Sequence, residues 1–160
     1  MLKRFLDETS CHLAVSLHNP FPEERVELMP MEKAYPIEKT IDLIRQYDFT
    51  GQRRVSFEYI MFAGRNDDKR HADALVRLLR GIECRINLIR FHKIPDSELA
   101  PSPMPVIELF KKRLNNEGII TTLRASRGED ILAACGMLSG KGKARNEANA
   151  KKTTGENNGI

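Results

Sequence analysis

Short apolar, β-branched runs alternate along this chain with longer stretches whose apolar residues return every three or four positions. Residues 12–18 (HLAVSLH) predict a short buried strand, broken by Asn19-Pro20-Phe21-Pro22. Glu23 to Leu28 has room for one or two helical turns. Pro36 then opens a helix that carries Ile37, Ile41, Ile44 and Tyr47 on one face and ends at Gly51. Residues 53–62 (RRVSFEYIMF) read as a second strand. Asn66-Asp67-Asp68 offers an N-cap to a helix with Ala72, Leu75, Leu78 and Leu79 on one face, closed by Gly81. Residues 84–92 (CRINLIRFH) form a third strand. After a proline-rich connection, Ser102-Pro103 starts a helix with an apolar stripe of Val106, Leu109, Phe110 and Leu114, and Gly118 caps it. Residues 119–125 make a fourth strand, and Asp130 to Leu138 a short last helix. No internal repeat is visible.

Strand and helix in strict alternation call for parallel strands joined by crossovers, hence an α/β fold of about four parallel strands. Four strands make a small open sheet or half of a barrel. In either case the chemistry is expected at the C-terminal ends of the strands. Those ends are polar here. Ser16 and His18 close the first, Asn66 follows the second, His92 ends the third, and Arg124, Ser126, Arg127 and Gly128 follow the fourth.

Composition narrows the function classes. Of the 160 residues 41% are hydrophobic and 30% charged, at a mean hydropathy of −0.43, enough for one real core. No apolar run approaches the ~20 residues of a membrane span. The first residues lack the apolar stretch of a secretory signal, so the cytoplasm is the expected compartment. The net charge of +4 sits mostly in residues 139–160, where Lys141, Lys143, Arg145, Lys151 and Lys152 outnumber Glu147 and Glu156. That segment has almost nothing to bury and reads as a disordered basic tail. The body is close to neutral, which weakens a simple electrostatic case for nucleic acid. Cys11, Cys84 and Cys135 are too few and too widely spaced for a disulfide framework, and no CxxC or CxxxCxxC spacing occurs, so no metal site is expected.

Four groups of residues carry candidate chemistry. Ser16 and His18 alternate with Val15 and Leu17 and share a face; a solvated strand end is their plain alternative. Glu58 lies inside an apolar strand and needs a partner, either an arginine or a ligand hydroxyl. Arg90 and His92 share a face with Ile86 and Leu88. They suit an anionic ligand if that face lines an interior and are ordinary solvated residues if it does not. Cys135 stands between Ala133-Ala134 and Gly136, where small neighbours let a bulky group reach its sulfur, and Arg124 and Arg127 favour its thiolate. A buried thiol near a helix end is the alternative.

In this order, the segments LAVSLH, ELMP, YPI, FEY, the Asn66-Asp67 pair, LVRLL, NLI and SRGEDILAACGML resemble the radical-SAM adenine-C2 methyltransferases of 23S ribosomal RNA and some tRNAs. The resemblance runs from about residue 12 to 138. It implies half of a radical-SAM partial (β/α) barrel, with residues 1–138 as the C-terminal part of that domain. It makes Cys135 the catalytic residue, the thiol that carries the methyl group. It assigns S-adenosyl-L-methionine (SAM) contacts to Ser16, Leu17 and His18, and to His92, where the family commonly has asparagine. It also implies a 4Fe-4S cluster, rRNA and tRNA substrates, and an electron donor such as flavodoxin. The family's CxxxCxxC motif, its Gly-Glu motif, its resolving cysteine and its RNA-binding domain are not among these residues, so the chain alone is expected to be inactive. The C8-adenine branch of the family and a non-catalytic RNA-binding fragment stay open as alternatives.

Overall fold

The computed structural model of the protein describes residues 1–51, 53–93 and 97–124. Cys135, the helix expected over 130–138 and the tail from 139 lie outside the described residues.

The sheet is parallel throughout and runs in chain order: β1 (Leu13–Ser16), β2 (Val55–Met61), β3 (Cys84–Arg90) and β4 (Ile120–Arg124). This is the expected alternation. Its two faces differ. On β2, Val55, Phe57, Tyr59 and Met61 are buried and the residues between them are not. On β3, Ile86 and Leu88 are buried in the same sense. These residues form one core with α3 (Ile37–Ile44), α4 (Lys69–Leu79) and α5 (Met104–Asn116), which supply Ile37, Ile41, Ile44, Leu75, Leu79, Ile107, Phe110 and Leu114. The opposite face carries polar residues in register across all four strands.

The expected apolar face of α5 is corrected by the structure. Leu109 is 68% exposed, and Ile107 takes its place beside Phe110 and Leu114. Residues 107, 110 and 114 follow the 3–4 spacing of one helix face, whereas residue 109 lies about 200° around from 107. The helix starts where Ser102-Pro103 predicts. Pro103 holds the N-cap position without a side-chain bond, and the Ser102 hydroxyl donates to Asp67 Oδ2 at 2.8 Å. The cap expected for α4 is Asp68, whose Oδ1 accepts from the His71 N–H at 3.0 Å. Gly81 and Gly118 leave α4 and α5 with φ of 79° and 83°, a conformation glycine adopts without strain.

The sequence pattern did not announce the first helix, α1 (Leu2–Glu8), which buries Leu6 and carries Lys3–Asp7 and Arg4–Glu8 pairs one turn apart. Arg53 secures its C-terminal end by donating to the carbonyls of Leu6 at 2.8 Å and Phe5 at 3.4 Å, a cation placed where the helix dipole is negative.

Candidate cofactor site at the rim of the sheet

The strand expected over residues 12–18 ends early, at Ser16, and the reason lies in where its carbonyls go. Leu17 N–H still joins the ladder, donating to Glu58 O at 2.9 Å. In a regular parallel ladder Ile60 N–H would next donate to Leu17 O. Here Leu17 O instead accepts from Arg25 Nε at 2.8 Å and from Asn19 N–H at 2.7 Å. The bond from Asn19 closes a tight turn over two residues, with His18 at φ +57° in its centre. The displaced Ile60 N–H donates to His18 Nδ1 at 3.1 Å, so the imidazole completes the ladder that the backbone abandons.

The turn is held from two sides. Arg25 lies in α2 (Pro22–Leu28) and is 5% exposed. Its guanidinium donates to Leu17 O, to Ser16 O at 2.8 Å, and to Glu32 in a short ion pair. Glu32, on the 3₁₀ turn Pro30–Lys33, also accepts from Ile37 N–H at the start of α3. From the other side, the wholly buried Asn66 donates to His18 O at 2.6 Å and Ile60 O at 2.7 Å, and accepts from Phe62 N–H at 2.7 Å. Tyr59 donates its hydroxyl to the Asn66 carbonyl. Asn66 was expected at this rim as part of a helix cap; it is instead the bolt between the ends of β1 and β2.

These bonds fix what the turn can offer. Leu17 has its side chain in the core and both backbone polar groups engaged, so it sets the shape of the turn. His18 is half-buried, and burial, followed by repulsion from Arg25, lowers its pKa from 6.5 to about 4. The ring is therefore neutral at pH 7. Because Nδ1 accepts, the proton sits on Nε2, which is left as a donor. The exposed Ser16 hydroxyl is the second free polar group of this segment. His92 stands two residues beyond β3, half-buried, at the same end of the sheet. Arg90 lies opposite Met61 in register and alternates with Ile86 and Leu88. It therefore belongs to the helix-covered side, and its Nε is buried without a partner among the described residues.

Beside the turn, α2 and α4 are joined by a charged cluster. Both ring nitrogens of His71 lie 2.7 Å from a carboxylate oxygen, one from Glu24 and one from Asp68. Glu24 also accepts from Asn19 Nδ2 at 3.0 Å and from Arg70 at 2.7 Å. Partial burial disfavours its charge, but the bonds from Arg70, Asn19 and His71 outweigh that and hold its pKa at about 2. A cavity of about 480 Å³ lies elsewhere, between α4 and α5 on the helix side.

Cys11 is exposed just before β1, and Cys84 opens β3, so both lie at the sheet end opposite the rim. Burial pushes the Cys84 thiol up to about 12, which keeps it protonated. Among the described residues no group of three His, Cys, Asp or Glu side chains is arranged to hold a metal. Neither described cysteine fits the 4Fe-4S cluster that the resemblance implies. A brief iodoacetamide pulse at pH 8, read by peptide mapping, is expected to label Cys11 well ahead of Cys84; comparable labelling would contradict the burial of Cys84.

The one-sided parallel sheet with its polar rim matches part of the fold of solved radical-SAM enzymes. A solved radical-SAM methyltransferase from Sphaerobacter thermophilus superposes with a TM-score of 0.74 at 42% identity, over 79% of this chain and 37% of that one. A domain of a pyruvate-formate lyase-activating enzyme from Bacteroides vulgatus shares the fold at 15% identity, with a TM-score of 0.57. In sequence the chain is similar to the dual-specificity RNA methyltransferases RlmN. It is 67% identical over 138 residues to the probable RlmN of Porphyromonas gingivalis and 62% to that of Parabacteroides distasonis. It is 40% identical over 141 residues to the RlmN of Syntrophus aciditrophicus. It spans about 40% of the length of these relatives. No family model matches the chain.

Proposed function

We propose that these residues are the C-terminal part of a radical-SAM RNA methyltransferase that methylates C2 of adenine in 23S rRNA and some tRNAs. The observation that carries the reading is the turn at Leu17-His18, built at the rim of a sheet that matches a solved radical-SAM methyltransferase at 42% identity. The SAM site fits the residues present. Ser16 offers a hydroxyl and His18 an Nε2–H, Leu17 and Arg25 hold both in place, and His92 stands just beyond β3 at the same end of the sheet. Bound there, SAM supplies a methyl group and a source of the adenosyl radical. Cys135 Sγ accepts the methyl group as a thiolate, the nucleophilic form of a thiol. An sp² carbon such as adenine C2 is not nucleophilic, so it does not displace the methyl group from SAM directly, and a protein thiol as carrier answers that difficulty.

The cluster that initiates the radical takes its ligands from outside these residues, and an external one-electron donor of the flavodoxin kind feeds it. The enzyme works in the cytoplasm on RNA; among the described residues no helix is long and apolar enough to cross a membrane.

Incubating the purified full protein with rRNA or tRNA, SAM and a reductant tests the reading, with mass spectrometry of the digested nucleosides. The expected product is 2-methyladenosine, together with a protein peptide methylated at Cys135. 8-Methyladenosine would move the protein to the C8 branch, and an unmodified RNA would overturn the reading. The 160 residues alone are expected to give no turnover.

A further inference from the structure

The polar face of the sheet contains a row of which the SAM contacts above use only the first residue. Ser16, Glu58, Asn87 and Thr122 stand in register on four adjacent strands. The Thr122 hydroxyl donates to Asn87 Oδ1 at 2.9 Å, and Asn87 Nδ2 donates to Glu58 Oε1 at 2.8 Å. The relay has one direction. With the Asn87 carbonyl taken by Thr122, its amide N–H must point at Glu58, and Glu58 must accept. Oε1 is thereby fixed, while Oε2 has no hydrogen bond among the described residues, and no cation there forms an ion pair with Glu58. Glu58 is half-buried on the central part of the face, beside the strand that carries Ser16. A carboxylate drawn partly out of water, aimed by a relay and left with one free oxygen, is an acceptor awaiting a donor.

We infer that Glu58 is a further cofactor-binding residue, whose free carboxylate oxygen accepts from the ribose hydroxyls of the nucleoside cofactor held at this rim. The inference rests on the SAM reading of the Ser16–His18 turn. Ribose fits what the row offers. The diol presents two adjacent O–H donors, and neighbouring strands about 4.8 Å apart place the Glu58 carboxylate and the Ser16 hydroxyl side by side to meet them. Asn87 and Thr122 are positioning residues in this account. Their bonds decide which oxygen of Glu58 is free, and they touch no ligand themselves.

The relay also predicts what the isosteric variant does. In Glu58→Gln the amide oxygen stays with Asn87 Nδ2, so the new NH₂ group faces the ribose, and a charge-assisted bond to a carboxylate is exchanged at best for a neutral one. Equilibrium binding of SAM to the purified full protein tests this, read by isothermal titration and independent of turnover. Glu58→Gln is expected to weaken SAM binding about 10- to 100-fold, the range of a lost hydrogen bond to a charged group. The wild-type protein is expected to lose a similar factor for 2′-deoxy or 3′-deoxy SAM. Glu58→Gln should then discriminate little between SAM and that analogue. The analogue arm needs no variant, so it can overturn the assignment even where Glu58→Gln folds poorly. Wild type that binds SAM and both deoxy analogues alike would sink the Glu58 assignment and leave the cofactor site standing. Wild type that does not bind SAM would sink both.

Discussion

Arg25→Ala is expected to destabilise the protein by about 3–5 kcal/mol, the cost of breaking one half of a buried ion pair. The side chains of Arg25 and Glu32 are each 6% exposed, so removing the guanidinium strands a carboxylate out of water. It also removes the donors to Ser16 O and Leu17 O, two carbonyls that no longer have a strand to pair with. Lysine should not rescue the loss. A single ammonium on a flexible stem does not span three acceptors that a planar guanidinium reaches from one fixed position. Arg25→Lys is therefore expected to stay close to Arg25→Ala, whereas Arg25→Leu combined with Glu32→Leu should recover much of the stability, since it leaves no buried charge. Urea unfolding followed by circular dichroism measures the three variants against wild type. An Arg25→Ala variant within about 1 kcal/mol of wild type would mean that the pair is not what closes the turn.

Arg25 also marks where the sequence stops being legible. The alternation of strand and helix, the parallel sheet and most core residues follow from periodicity, because burial against one helix layer selects every second strand residue and every third or fourth helix residue. Ile41, Ile44, Leu75 and Phe110 are found that way. Leu109 was misplaced because a run of apolar residues near a helix start fits more than one stripe until the neighbouring helix is known. The turn at His18 was beyond such reasoning. Nothing in HLAVSLH states that Leu17 O will be taken by a side chain eight residues on, and Arg25 in PEERVEL looks like any surface cation on a short helix. A weak signal did exist: Arg25 and Glu32 flank a short apolar segment with opposite charges, a spacing compatible with a local pair. Asn66 was seen as polar punctuation before a helix, yet its side chain makes three bonds across two strands. Polar residues reveal their partners only in three dimensions, since a hydrogen bond has no period. Glu58 is the intermediate case. Its position inside an apolar strand demanded a partner, and the structure supplies Asn87 for one oxygen only.

His18 should give the fold a measurable dependence on pH between the neutral range and about 4. In the unfolded chain the imidazole takes a proton near 6.5; in the folded protein it does so only near 4, because it is buried and faces Arg25. Between those values the unfolded state binds more protons than the folded one, so stability falls as pH falls. The contribution is complete above 6.5 and is lost on the way down to about 4. Converted at 1.36 kcal/mol per pH unit, the whole loss is roughly 3 kcal/mol. Carboxylates held low contribute mostly below this window. Glu24, at about 2, keeps its stabilisation until the pH falls below the ordinary carboxylate value of 4.5. His18→Asn separates the effect from other titrations. Asparagine tolerates a positive φ, offers Oδ1 near the place of Nδ1 to accept from Ile60 N–H, and carries no titrating proton. Urea unfolding of both proteins at pH 7.5 and 4.5 is the measurement. The wild type is expected to lose most of that 3 kcal/mol relative to His18→Asn, and a difference that stays constant between the two pH values would show that the ring is not held neutral at the turn. The same proton fixes the site chemically: while Nδ1 accepts from Ile60, Nε2 remains a donor to whatever occupies the rim.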